Sequence, residues 1–281
     1  MEVLKPATRA IAALLLASGT IGAAQETPAA PTASNADQIA KPRITQLSVA
    51  RPTHILFVGN SYLYYNDSLH NHVERMAVAA GLFKSSDLTY KSATIGGAAL
   101  SDHNIDHLLV PKNLRIDRPF EVVIMQGGSA APLSKKRRKQ FGETVALYAR
   151  KVRAAGGEPV LYMTHAYVPP HPGYRSDMIQ DISSMYIGTG NKNDALVIPV
   201  GLAFEEAYRR RPDIRLHESF DGTHPSMLGT YLAACTVFAS IYGASPVGND
   251  YDYFGEVPKN EALFLQEVAQ DTVAKFYGRD R

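Results

Sequence analysis

Three polar residues stand where an α/β protein could use them for acyl transfer. Ser61 follows the compact apolar run His54-Ile-Leu-Phe-Val58 and the turn Gly59-Asn60. A serine there reaches the C-terminal end of a buried strand, the edge at which open sheets bind ligands. The helix that follows contributes backbone N–H groups and the positive end of its dipole. Asp221 and His224 lie together in Asp221-Gly-Thr-His-Pro-Ser226. An aspartate three residues before a histidine can accept one ring N–H and fix the tautomer, leaving the other nitrogen to take a proton from a serine. Pro225 holds His224 extended and suits the first turn of a helix. Taken singly, Gly-Asn-Ser is an ordinary turn and Asp-Gly an ordinary capping loop. The chemistry needs all three residues in one place.

Five apolar runs can supply the strands that bring them there: His54–Val58, Leu88–Ile95, Glu121–Met125, Pro159–Met163 and Ala195–Val200. Short runs closed by glycine or polar residues suit parallel strands buried on both faces. Between and after them, apolar residues recur at three- and four-residue spacing over Ser68–Ala80, Ser134–Ala155, Leu202–Arg210, Pro225–Tyr242 and Asn260–Tyr277. Strands alternating with helices predict an open, doubly wound parallel sheet in one domain over residues 51–281. Tyr167–Asn193 exceeds a simple strand-to-helix connection and is read as a possible cap beside the site.

Composition narrows the function classes. The chain has 281 residues, a formal charge of +2 and one cysteine. The charge is too small to point to nucleic acid, and one cysteine excludes intrachain disulfides and cysteine-rich zinc sites. Cys235 lies in an apolar stretch and reads as a buried small hydrophobe. Walker A, Gly-x-Gly-x-x-Gly and Gly-x-Ser-x-Gly are absent, so nucleotide hydrolysis, dinucleotide redox and the α/β-hydrolase elbow lack support. Lys5 and Arg9, the apolar Ala10–Ser18 and the small residues Gly22-Ala-Ala24 have the order of a secretory signal cleaved near Ala24. The expected location is periplasmic or extracellular, with no stable membrane anchor. Residues 25–50, rich in Ala, Pro, Thr and Ser, read as a flexible linker.

Other clusters carry weaker chemistry. His70/His72 and His103/His107 have the spacing of metal half-sites, but without His-Glu-x-x-His they read as surface histidines on solvated helices. His165, just after the fourth strand, can contact substrate or hydrogen-bond its own loop. Tyr62, Tyr64 and Tyr65 can line an acyl or sugar pocket, or pack on the first helix. Lys135-Lys-Arg-Arg-Lys139 reads as a solvated helix start that could also attract an acidic polysaccharide.

The runs Ile55-Leu-Phe-Val-Gly-Asn-Ser-Tyr-Leu-Tyr-Tyr-Asn66 and Asp221-Gly-Thr-His-Pro-Ser226 together resemble the SGNH hydrolase superfamily, in the branch with Gly-Asn-Ser-Tyr in place of Gly-Asp-Ser. The resemblance runs from about residue 51 to the end, in the family's order. It implies a three-layer α/β/α sandwich, flavodoxin-like, with about five parallel strands, and a serine esterase needing no metal or organic cofactor. It places Ser61 as nucleophile and first oxyanion donor, Gly97 or its neighbour Gly96 as second donor, and Asp221 and His224 as acid and base. Asn60 and Gly96 join Tyr62, Tyr65 and His165 as candidate substrate contacts. Where the family carries asparagine after the third strand, this chain has Met125-Gln-Gly-Gly-Ser129, so Gln126 is the expected third donor.

The implied reaction is hydrolysis of a small-molecule or saccharide ester, with acetyl as the expected acyl group. Two other readings stand beside it: a carbohydrate-binding accessory protein with weak chemistry, and a lipase or thioesterase for longer chains. No nucleic-acid partner is expected, and the residues set no oligomeric state.

Overall fold

The computed structural model describes residues 40–279; the expected signal and most of the expected linker lie outside them. Five parallel strands form one sheet in the order β2-β1-β3-β4-β5. They are β1 (His54–Gly59), β2 (Thr89–Thr94), β3 (Val122–Gln126), β4 (Glu158–Tyr162) and β5 (Leu196–Ile198). Each run of the sequence forms a strand; β1, β3, β4 and β5 are almost wholly buried on both faces, which suits β-branched and large apolar side chains, while the edge strand β2 is only partly buried. The chain lays β2 on one side of β1 and β3 on the other, so strand order reverses between β1 and β3. That crevice, outside the carboxyl ends of the strands, is where doubly wound sheets place ligands.

Alternation along each strand divides the core in two. Ile55, Phe57, Ile124, Tyr162 and Ile198 face α2 (Leu69–Ala79), α6 (Val200–Arg210), α7 (Met227–Tyr242) and α8 (Lys259–Tyr277). Leu56, Val58, Val123, Met125 and Leu161 face α4 (Lys135–Ala154) and α5 (Met178–Lys192). Two one-turn helices, α1 (Ser61–Tyr64) and α3 (Ile105–Leu108), complete the set. A fully buried Phe57 or Leu56 contributes about 1.5–3 kcal/mol relative to exposure. Helix α7 is buried all round, and Cys235 within it is the packed small residue expected.

The structure corrects three sequence expectations here. Most of Tyr167–Asn193 is not the expected cap: α5 packs Met178, Ile182 and Tyr186 against the sheet, and only the segment before it, through Val168 N–H to Gly222 O (2.9 Å), lies against the Asp221–His224 loop. The Ser and Gly content of α5 hides the helical pattern. Residues 41–50 are docked rather than flexible. The Glu158 carboxylate accepts from the N–H of Ser48 (3.0 Å) and Val49 (2.8 Å) and from the Ser48 hydroxyl (2.6 Å), while Leu47 is buried. Helix α7 starts at Met227 instead of Pro225, because Ser226 is its N-cap and accepts from Gly229 N–H at 3.2 Å.

Candidate active site

Strand β1 ends against two other loops, and Asn60 ties them together. Its backbone N–H donates to Gln126 Oε1 at 2.9 Å, its Nδ2 donates to Ala98 O at 3.1 Å, and its Oδ1 accepts from Tyr62 N–H at 3.2 Å. It is the N-cap of α1 and is buried, so it acts on the turn rather than on a ligand. Ser61 follows as the first residue of α1, where its N–H has no intrahelical acceptor.

The Asp221–His224 loop comes to Ser61 from the far end of the chain. Gly222 makes the approach possible. Its φ is +66°, and a Cβ there would stand 2.1 Å from Val168 O. Asp221 Oδ1 accepts from the N–H of Thr223 (2.9 Å) and His224 (3.1 Å), and Oδ2 accepts His224 Nδ1–H at 2.5 Å. The other ring nitrogen, Nε2, lies 2.8 Å from Ser61 Oγ. Burial raises the Asp221 carboxyl pKa, but the His224 and Thr223 donors outweigh it and hold the group below the usual carboxylate range. Glu218 N–H to His224 O (2.8 Å) and Asn66 Nδ2 to Pro225 O (2.9 Å) pin the loop on either side.

Aromatic rings support this line from two directions. Tyr65 lies on the His224 ring, centroids 4.2 Å apart. Below, Tyr62 stacks on His165 at 4.3 Å, and His165 on Phe204 at 4.4 Å. The Tyr62 hydroxyl hydrogen-bonds the Thr223 hydroxyl. Tyr62 is 4% and His165 1% exposed, which removes both from the expected substrate contacts. The physical reason is that their faces are spent on this stack. His165 Nε2–H donates to Thr223 O at 2.8 Å, and burial keeps its ring neutral. The expected bond within its own loop is not the one formed: the partner lies 58 residues on, in the Asp221–His224 loop. Tyr65 remains half-exposed, and Tyr64 stands beside it.

Gln126 is also corrected. It sits at the expected strand end, but it is 1% exposed and its amide points under the turn. Oε1 takes the Asn60 N–H and Nε2 donates to Gly127 O, so the side chain braces the nucleophile turn instead of facing a substrate. It also explains Gly59: a Cβ there would lie 2.4 Å from Gln126 Oε1. Gly96 and Gly97 are exposed at the end of β2, in a turn closed by Ala98 N–H to Ile95 O (3.2 Å), which does not use their own N–H groups. Gly97 has φ +70° and lines the cleft next to Ser129; Gly96 is not among the cleft residues.

The histidine pairs are not surface groups throughout. His72 is fully buried between Asn66 O (2.6 Å) and the Tyr251 hydroxyl (3.0 Å), and His103 is buried too. His72 turns inward because Leu69, Val73 and Met76 set the buried face of α2, whereas His103 lies in the connection just before α3. Among the described residues no three His, Cys, Asp or Glu side chains group as a metal site, and no helix is long and apolar enough to cross a membrane. Sequence reading missed Thr223 and His217 as supports; the only available signal for Thr223 was its place inside the Asp-Gly-Thr-His run.

No family model matches the chain, and no curated protein sequence matches it. Solved structures do. A DUF4886 family protein from Bacteroides uniformis superposes with a TM-score of 0.62 at 19% identity, covering 80% of this chain and 95% of that one. A protein from Slackia heliotrinireducens, provisionally assigned to the SGNH hydrolases, gives 0.52 at 23% identity, covering 67% and 98%. An acetyl xylan esterase gives 0.52 at 15% identity, covering 66% and 98%. The chain is thus a single-domain α/β protein with the fold of the SGNH hydrolases.

Proposed function

We propose that this chain hydrolyses carboxylic esters through Ser61, His224 and Asp221. The observation that carries the reading is the unbroken line Asp221 Oδ2, His224 Nδ1, His224 Nε2, Ser61 Oγ, with steps of 2.5 Å and 2.8 Å. His224 takes the Ser61 proton as Oγ attacks the carbonyl carbon. Asp221, with its carboxyl held ionised, stabilises the imidazolium and keeps Nε2 aimed at the serine. The negative oxygen of the tetrahedral adduct falls to the N–H of Ser61 and of Gly97. His224 then gives its proton to the leaving alcohol, and water repeats the cycle on the acyl-enzyme. These steps balance with protein groups alone, so no metal or organic cofactor is required.

The substrate proposed is a short-chain, preferably acetyl, ester of a saccharide or small alcohol, met outside the cytoplasm. Exposed Tyr64, Phe220 and Ile95 offer an apolar rim beside the triad on which a sugar face can stack. One observation favours a second reading, a slow or vestigial enzyme that binds saccharide: the Gln126 amide is committed to the turn. Loss of one oxyanion donor costs on the order of 10²–10³ in turnover.

The test is hydrolysis of 4-nitrophenyl acetate, butyrate and octanoate by the wild type, Ser61→Ala and His224→Ala. Wild-type turnover of acetate that disappears in both variants supports the triad. Preference for octanoate points to a lipase or thioesterase. Wild-type rates equal to the variants on every ester, with binding of acetylated saccharide retained, favour the accessory protein.

A further inference from the structure

The loops after β2 and β3 part to leave a cleft of about 230 Å³, bounded at one end by Gly97, the expected second oxyanion donor. It begins at Gly97, next to the Ala98 carbonyl held by Asn60, and runs between Ser101 and Ser129 to α4, where Arg137, Gln140 and Phe141 close it. Pockets that enclose drug-sized ligands are roughly 300–1,000 Å³. This one therefore suits a single compact group of a substrate whose ester lies over Ser61. Gln140 Nε2 reaches across it to the Ser101 hydroxyl at 3.1 Å.

The cleft is electrically one-sided. At the start of α4, Arg138 is 3.8 Å from Asp181 and Lys139 is 3.7 Å from Glu143, whereas Lys135, Lys136 and Arg137 have no ion-pair partner among the described residues. The first turn of α4 carries no acid. Two carboxylates adjoin the cleft wall in sequence, and both are engaged: Asp102 accepts Ala99 N–H at 2.9 Å, and Glu143 is the carboxylate 3.7 Å from Lys139. Arg137 lines this cleft together with Ser129, whose Oγ accepts from the Tyr167 hydroxyl at 3.1 Å. An unpaired guanidinium beside hydroxyl and amide groups matches a planar carboxylate, which it can bind with two parallel N–H bonds.

We propose that this cleft is a subsite for a carboxylate carried by the ester substrate, with Arg137 as the residue that recognises it. The inference rests on the esterase reading and names its substrate class: acid-bearing esters, such as those of acidic sugars, are preferred over neutral counterparts.

Two substrate pairs test it, each matched except for charge. 4-Acetoxybenzoate and its methyl ester place the acid on the alcohol side; mono-4-nitrophenyl glutarate and 4-nitrophenyl pentanoate place it on the acyl side. In one pair the wild type should favour the acid in kcat/KM, and Arg137→Gln should lower the acid-to-neutral ratio about tenfold, with Arg137→Glu lowering it further. The responding pair identifies the half of the substrate that enters the cleft. Ratios unchanged by Arg137→Gln in both pairs overturn the subsite. If no ester is hydrolysed above the Ser61→Ala rate, the esterase reading fails, and calorimetric titration of 4-acetoxybenzoate into Ser61→Ala and Ser61→Ala/Arg137→Gln decides the subsite separately. About tenfold weaker binding by the double variant supports it; equal or absent binding in both overturns it.

Discussion

The ring of Tyr65 lies flat on the imidazole of His224, with centroids 4.2 Å apart and planes 10° from parallel. This face-to-face contact sits on the group that becomes cationic in the proposed reaction. An aromatic face stabilises a cation by roughly 0.5–2 kcal/mol, depending on how far water is excluded, and the stack also limits rotation of the ring away from Ser61.

Tyr65→Ala is therefore expected to reduce kcat by about 2- to 30-fold, the rate equivalent of that energy, with a smaller change in KM. Tyr65→Phe should retain most of the activity. Steady-state kinetics on 4-nitrophenyl acetate reads both; an alanine variant as fast as wild type removes Tyr65 from catalysis.

Asp221→Asn should leave the fold intact and lower kcat by about 10⁴-fold, because an amide facing Nδ1 favours the wrong tautomer. The comparison is with Ser61→Ala in the same assay, alongside circular dichroism. Near-wild-type turnover by folded Asp221→Asn would show that His224 does not depend on this carboxylate.

The brace beneath the turn gives a stability prediction. Gln126→Leu keeps the volume but leaves the buried Asn60 N–H without its acceptor, a loss of about 1–3 kcal/mol. For a domain of this size that lowers Tm by roughly 2–4 °C per kcal/mol. Gly59→Ala meets Gln126 Oε1 and Leu63 Cδ1 at 2.4 and 2.7 Å and should destabilise through the same contact. An unchanged Tm for both variants would mean that the turn stands without the brace.

His217 supplies the pH dependence. Its Nδ1 accepts from the Tyr208 hydroxyl at 2.6 Å and its Nε2–H donates to Ala166 O at 2.9 Å, a pairing that suits the neutral ring. Burial lowers its pKa to about 4. The unfolded chain takes up this proton near pH 6.5 and the folded chain only near 4, so the contribution to stability is complete above 6.5 and is lost as pH falls through that window. Buried His165 acts in the same direction. Tm should fall steadily between pH 7 and 4.5, and His217→Gln should flatten the slope. Parallel slopes for the two proteins would assign the acid sensitivity elsewhere.

Much of this architecture is legible in residue order. Short runs such as Ile55–Val58 and Val122–Met125, rich in β-branched residues and soon followed by glycine, read as buried strands, whereas the equally apolar Tyr231–Cys235 sits inside a helix-length segment. Asp221 and His224 announce each other because three residues of loop suffice to bring carboxylate and imidazole together. Helix α5 was not legible: Gly188, Gly190, Ser183, Ser184 and Thr189 weaken its local pattern, and it exists because Met178, Ile182 and Tyr186 find a sheet face to cover.

The amino-acid sequence by itself determined the alternation of strands and helices, the strand-end position of Ser61, and the local Asp221–His224 pairing, all of which depend on neighbours in the chain. Tertiary structure decided what depends on partners far apart in it. It brought His224 to Ser61 across 163 residues, turned Gln126 under Asn60, buried Tyr62 and His165 in one stack, and left Arg137 facing an open cleft. The reason is directional: residue type says what a side chain can bond, but the packing of distant loops decides where its donor or ring face points.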